Sequence, residues 1–203
     1  MNLSKEMFMR MGIATLLIPL VITFILYQFN FTSFLVPVLV GKFHFGIQFI
    51  FGLVGGIVLI ALAFLMSKWR FLDEVQSKFT IQLGGYQLTL QEIVFLSFCA
   101  GIGEEILFRG MLQPWLGIFF TAFLFIALHG YISVKSSAHL IFGLLLWMMG
   151  IGLGLLGAYS GLLSAAVAHM LYDVYAFLNI QREYESLKTR SNLNRPNNEQ
   201  EEI

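Results

Sequence analysis

The residues able to do acid–base chemistry fall into three short patterns. Gly103-Glu104-Glu105-Ile106-Leu107-Phe108-Arg109-Gly110 sets two carboxylates just ahead of a guanidinium. Phe125 precedes His129 by one helical turn, and His169 precedes Asp173 by the same spacing. All three patterns sit in strongly apolar surroundings. A charge at the centre of a membrane helix costs roughly 2.5–3.5 kcal/mol on an insertion scale, so such groups persist where they face a bundle interior and find partners. Glu105 and Arg109 can pair on one helix face, which leaves Glu104 on a neighbouring face for another task. A carboxylate with two imidazoles suits water activation. The carboxylate takes a proton, while an imidazole orients the water, ligates a metal or donates to a developing oxyanion. Asp173 can fix the tautomer of His169 or complete the site.

The elements that must carry these residues are membrane helices. Of 203 residues, 58% are hydrophobic and 12% are charged, about half the charged share of a soluble domain. Mean hydropathy is +0.79, a surplus of apolar side chains that one water-soluble core cannot absorb. Zero net charge gives no electrostatic basis for binding nucleic acid. Lone Cys99 can form no internal disulfide. The expected fold is all-α, a polytopic bundle of about six transmembrane helices: near 8–27, 45–66, a third that begins near 90, then 118–131, 138–156 and 161–180. The first, with Lys5 and Arg10 ahead of an apolar run, reads as a retained anchor rather than a cleaved signal. The apolar segment 31–40 is too short to span and reads as interfacial or re-entrant. The stretch 80–89 around Gly84-Gly85 reads as a small hairpin. Residues 1–89 thus form two helices and a polar loop, 90–180 a four-helix catalytic core, and 181–203 a polar, disordered tail. Lys5, Arg10, Lys68, Arg70, Lys78, Lys135, Arg182, Lys188, Arg190 and Arg195 fall on one side. The positive-inside rule therefore puts both termini in the cytoplasm and the Pro114–Gly117 turn outside.

Depth decides whether the three patterns can meet. If the third and fourth helices form a hairpin around Pro114–Gly117, Glu104 and His129 each lie about 18 Å along from the bend. His169 follows the next turn on that face, near Gly157–Gly161, by about 15 Å. The three residues share a level on helices that can pack together.

At these residues the chain resembles the CAAX protease and bacteriocin-processing family, also called the Abi family, of intramembrane endopeptidases. The family shows EExxxR, FxxxH and HxxxN or HxxxD on separate helices. Here these are Glu104, Glu105 and Arg109, then Phe125 and His129, then His169 and Asp173, in order over about residues 90–180. The resemblance implies a hydrolase acting on a peptide or protein substrate at the bilayer of a bacterial cell membrane, in bacteriocin processing, self-immunity or CAAX-type processing. It implies that Glu104 activates water with His129, that His169 and Asp173 stabilise the oxyanion or position the substrate, and that Glu105, Arg109 and Phe125 support them. Asp173 departs from the Asn of the prenyl-protein enzymes, and an ionised carboxylate repels an oxyanion. Glu104, His129 and His169 could hold zinc; a metal-free glutamate route is equally compatible, and the reading leans to no metal.

Blander readings stand beside this one. Glu104, Glu105 and Arg109 can be a structural ion-pair network, though that leaves Glu104 without a partner. His44 and His139 read as interfacial or core residues. Gly152-Leu153-Gly154-Leu155-Leu156-Gly157 spells a dinucleotide fingerprint, but no strand precedes it, so close helix packing is the better account. At the level of function, a non-catalytic scaffold or immunity factor and a proton-coupled transporter remain as alternatives.

Overall fold

The computed structural model describes residues 4–29, 41–134 and 136–193. The expectations for the segment 31–40 and for the last ten residues lie outside that set. The described elements are helical: α1 (Lys5–Gln28), α2 (Phe45–Met66), a short 3-10 turn at Arg70–Leu72, α3 (Asp73–Gly84), α4 (Leu90–Glu105), a π-helical segment at Ile106–Leu112, α5 (Gln113–Leu128), α6 (Ser137–Tyr159) and α7 (Leu162–Leu193). The all-α polytopic bundle is the fold. Among the described residues, five helical runs are long and apolar enough to cross a membrane. One of them, Leu90–Leu128, holds 39 residues and contains both the third and the fourth expected helices.

That run is folded back on itself. A straight helix would hold Glu104 and His129 about 37 Å apart, yet their side chains approach to 3.6 Å. The reversal falls at Gly117, whose φ of 74° and ψ of 165° break the helix in a region that glycine alone enters at little cost. Pro114 stands three residues ahead of the reversal, near the end of the outgoing limb. Trp115 in the turn is exposed.

The helix starts are written locally. Thr89 caps α4 by accepting from the Glu92 N–H, while the Glu92 carboxylate accepts from the Thr89 N–H, a reciprocal pair that satisfies two otherwise unpaired donors. Ser136 caps α6 and also bonds the His139 ring, and the His44 ring accepts from the Gly46 N–H at the start of α2. His44 and His139 therefore act as helix-end residues.

α7 is the central member. α2 lies on it through Gly52 and Gly56, where a methyl group would overlap Val167 and Leu171. α4 meets it at Gly101, against Met170 and Ala166. Leu59, Phe108, Phe125, Ile126, Leu146, Met149 and Leu153 fill the core between the helices. Outward faces carry exposed apolar side chains such as Leu17, Val21 and Phe24 on α1 and Ile50, Val54 and Ile57 on α2, as a lipid-facing surface requires. In the fingerprint-like stretch, Gly154 packs against Gln113 and Ile118, and Gly157 against Ala165 and Arg109, so the glycines serve helix packing.

Two expectations are corrected. The stretch 80–89 is not a hairpin: residues 80–84 end helix α3, and the rest turns into the Thr89 cap of α4. Asp73 and Glu74 favour the first turn of α3, and its buried Val75, Thr80 and Gly84 follow a helical rather than a strand period. The tail does not turn irregular at residue 181, because α7 continues to Leu193. Its extension is held against α3: Thr80 donates to Glu183 at 3.0 Å, Asn179 donates to the same carboxylate at 3.1 Å, and Tyr184 covers Gly84. The polar helix α3 and the polar end of α7 cover each other.

Candidate active site

The site is built on Glu105. Its side chain is 0% exposed and lies one turn before Arg109, 2% exposed. Arg109 Nη1 donates to Glu105 Oε1 at 2.7 Å, and Nη2 donates to the Gly150 carbonyl on α6 at 3.1 Å. The guanidinium also lies 5.0 Å from the centre of the Phe125 ring. Arg109 thus ties α4, α5 and α6 together with bonds that a low-dielectric interior strengthens. The π-helical turn at Ile106–Leu112 follows Glu105 directly and carries Arg109; π segments of this kind occur often at functional sites.

From that anchor the imidazoles are set. His169 Nδ1 donates to Glu105 Oε1 at 2.8 Å, which turns its Nε2 towards Glu104 at 3.9 Å and Asp173 Oδ2 at 3.6 Å. The group that orients His169 is therefore Glu105, not Asp173 as the spacing suggested. His129 Nδ1 lies 2.7 Å from the Phe125 carbonyl. A carbonyl only accepts, so Nδ1 carries the hydrogen and Nε2 faces Glu104 Oε2 at 3.6 Å. Phe125 is wedged between the two rings, 4.5 Å from His129 and 5.7 Å edge-on to His169. Glu104, Glu105, Arg109, Phe125, His129, His169 and Asp173 all come together.

The sequence missed Tyr131. Its ring lies parallel to His129 with centroids 5.9 Å apart, and packs against Phe79 and Phe142. Burial pushes its phenol up to about 12, with Asp173 and Glu104 adding to the rise. The only early signal was its place two residues after His129.

The Glu104 carboxylate, both imidazoles, Asp173 and Tyr131 line a cavity of about 590 Å³. The cavity runs past Leu59, Ala63, Leu96 and Ala100 to Ser67, Gln76, Thr80, Tyr86 and Glu183. Phe8 at the start of α1 stacks on Tyr86 with centroids 4.4 Å apart, and nearby Lys5 Nζ pairs with Glu92 at 2.8 Å and donates to the Gln87 carbonyl at 3.2 Å, so this end of the cavity lies at the end of the bundle that holds the N-terminus. On metal binding, the described residues include no group of three His, Cys, Asp or Glu side chains gathered to hold an ion. The donor atoms of Glu104, His129 and His169 stand 3.6 to 3.9 Å apart across Glu104 Oε2.

A carboxylate and two imidazoles from three helical limbs, all lining one cavity, define a membrane protein with a glutamate–histidine site. Residues 86–175 match the family model of Type II CAAX prenyl endopeptidase Rce1-like. That segment runs from just before the Thr89 cap to just past Asp173 and covers all three motifs, so over these residues the chain is similar to the CAAX protease family that those motifs resemble. It is a family of proteases, and the chain is an integral membrane protein. No curated protein and no solved structure matches the chain.

Proposed function

We propose that the protein is an intramembrane endopeptidase that hydrolyses a membrane-proximal peptide bond with Glu104 as general base and His129 as its partner. One observation carries this reading. Glu104 Oε2 and His129 Nε2 both line the cavity and stand 3.6 Å apart, too far for a strong direct bond and near enough for one water to touch both. The water gives a proton to Glu104, its oxygen attacks the scissile carbonyl carbon, and the carbonyl oxygen takes the negative charge. Collapse breaks the C–N bond, and the leaving amine takes the proton from Glu104. Glu105, Arg109 and Phe125 hold the imidazoles in place. His169 and Asp173 face the substrate. No step needs a metal.

The cavity leads to the side that the positive-inside rule assigns to the cytoplasm, so the substrate reaches the site from that face although the Pro114–Gly117 turn lies on the other. A peptide with a prenylated C-terminal CaaX end is the substrate class we favour, because the matched family is described by it. Bacteriocin processing or self-immunity at a bacterial cell membrane would use the same chemistry on a different peptide.

The test is cleavage of an internally quenched farnesylated CaaX peptide and a bacteriocin-leader peptide by protein reconstituted in liposomes. Wild type cuts at least one, while Glu104→Gln and His129→Ala cut neither and remain inserted. Unchanged cleavage in both variants removes the reading. A scaffold would show no new peptide termini from wild type and would keep its biological effect in both variants; a transporter would show proton or solute flux instead.

A further inference from the structure

The proposed hydrolysis needs hydrogen-bond donors for the oxygen that becomes negative, and the groups named so far donate to it only in particular protonation states. Glu104 and Asp173 are acceptors when ionised. The Nδ1 hydrogen of His129 is held by the Phe125 carbonyl, and that of His169 by Glu105. Either Nε2 presents a hydrogen only as an imidazolium. Arg109 is turned away, engaged with Glu105 and Gly150.

Tyr131 is different. It lines the same cavity as Glu104, His129, His169 and Asp173. Its ring is fixed from three sides, parallel to His129 and packed on Phe79 and Phe142. A ring held in this way places its hydroxyl in advance, and a donor aimed beforehand at the developing charge is worth far more than one that must reorganise. A phenol O–H donates without first acquiring a charge.

Resting on the proteolysis reading, we propose that Tyr131 is a catalytic residue whose hydroxyl donates to the carbonyl oxygen of the scissile bond as it becomes an oxyanion. The proton stays on the phenol throughout, so water, Glu104 and the leaving amine complete the proton balance without it. Tyr131 binds the transition state more tightly than the substrate, and its removal therefore lowers kcat more than it raises KM.

The experiment is a steady-state comparison on the farnesylated CaaX peptide of wild type, Tyr131→Phe, Asp173→Asn and the Tyr131→Phe/Asp173→Asn double variant, with Glu104→Gln as blank. Phenylalanine keeps the stacked ring and removes only the hydroxyl. The expected result is a fall in kcat of roughly 10²-fold with KM changed by less than about threefold. In the double variant the amide that replaces the Asp173 carboxylate offers a new donor in the same cavity, and kcat recovers by about tenfold over Tyr131→Phe, which a folding defect would not produce. A Tyr131→Phe enzyme with kcat near that of wild type overturns the oxyanion role alone. So does a matched fall with no recovery in the double variant. A wild type that leaves the peptide no more cleaved than the blank removes the proteolysis reading itself and this role with it.

Discussion

Replacing Glu105 with alanine leaves Arg109 buried without its carboxylate and the His169 Nδ1 hydrogen without an acceptor. Both bonds run to the same oxygen, at 2.7 and 2.8 Å. Water cannot compensate, because Glu105 and Arg109 are almost wholly inaccessible. Breaking a buried ion pair from one side costs about 3–5 kcal/mol. For a protein of this size each kcal/mol moves the melting midpoint by about 2–4 °C, so the Glu105→Ala midpoint falls by at least about 6 °C. Cys99 provides the assay: it is the single cysteine and is fully buried, so a thiol-reactive fluorogenic dye reports unfolding in detergent. A second change discriminates the mechanism. Glu105→Ala/Arg109→Met removes the stranded charge and fills its space with an apolar chain, so it melts higher than Glu105→Ala alone although it is further from wild type in sequence. A drop of less than about 2 °C in the single variant, or a double variant no more stable than the single, would falsify the claim that this pair anchors the site.

Phe125→Ala should destabilise by about 3–5 kcal/mol and also lower kcat, because the wedge between both imidazoles is lost; the thiol-dye melt and the peptide assay read the two effects separately. Gly103→Val should separate α1 from α4, since any side-chain carbon at 103 overlaps the backbone of Thr15 and Leu16; loss of a Lys5–Glu92 zero-length cross-link reports it, and an unchanged yield refutes it. Tyr131, raised to about 12 by burial, contributes stability that is full below the usual phenol value near 10 and is lost as pH rises through about 12; in the wild-type minus Tyr131→Phe difference titration the phenolate band should rise near 12, and a band complete near 10 contradicts the burial. Chelator treatment should leave cleavage unchanged within about twofold, reading a metal-free route; loss restored by added zinc would instead assign the metal reading.

The apolar surplus and the length of its runs determined a helical membrane bundle, because backbone groups in hydrocarbon must be satisfied within the segment itself. α2 was legible to its ends, since a charge-free run bounded by polar residues leaves little choice of boundary. The one-turn spacing of Glu105 and Arg109 announced their ion pair, as short-range helix geometry always does. The matched depths of Glu104, His129 and His169 followed from counting residues out from two turns. Tertiary structure decided the rest. Spacing within one helix suggested Asp173 as the partner of His169, yet Glu105 on another helix reached the ring nitrogen first. Tyr131 carried no pattern, because it joins the site through ring contacts with Phe79 and Phe142 from elements distant in sequence. α3 and the end of α7 looked like a hairpin and a loose tail because each is polar alone; packed together, through Thr80 with Glu183 and Gly84 with Tyr184, they cover each other. Periodicity reports what one segment does with its own neighbours, and contacts between segments enter only when the chain has folded.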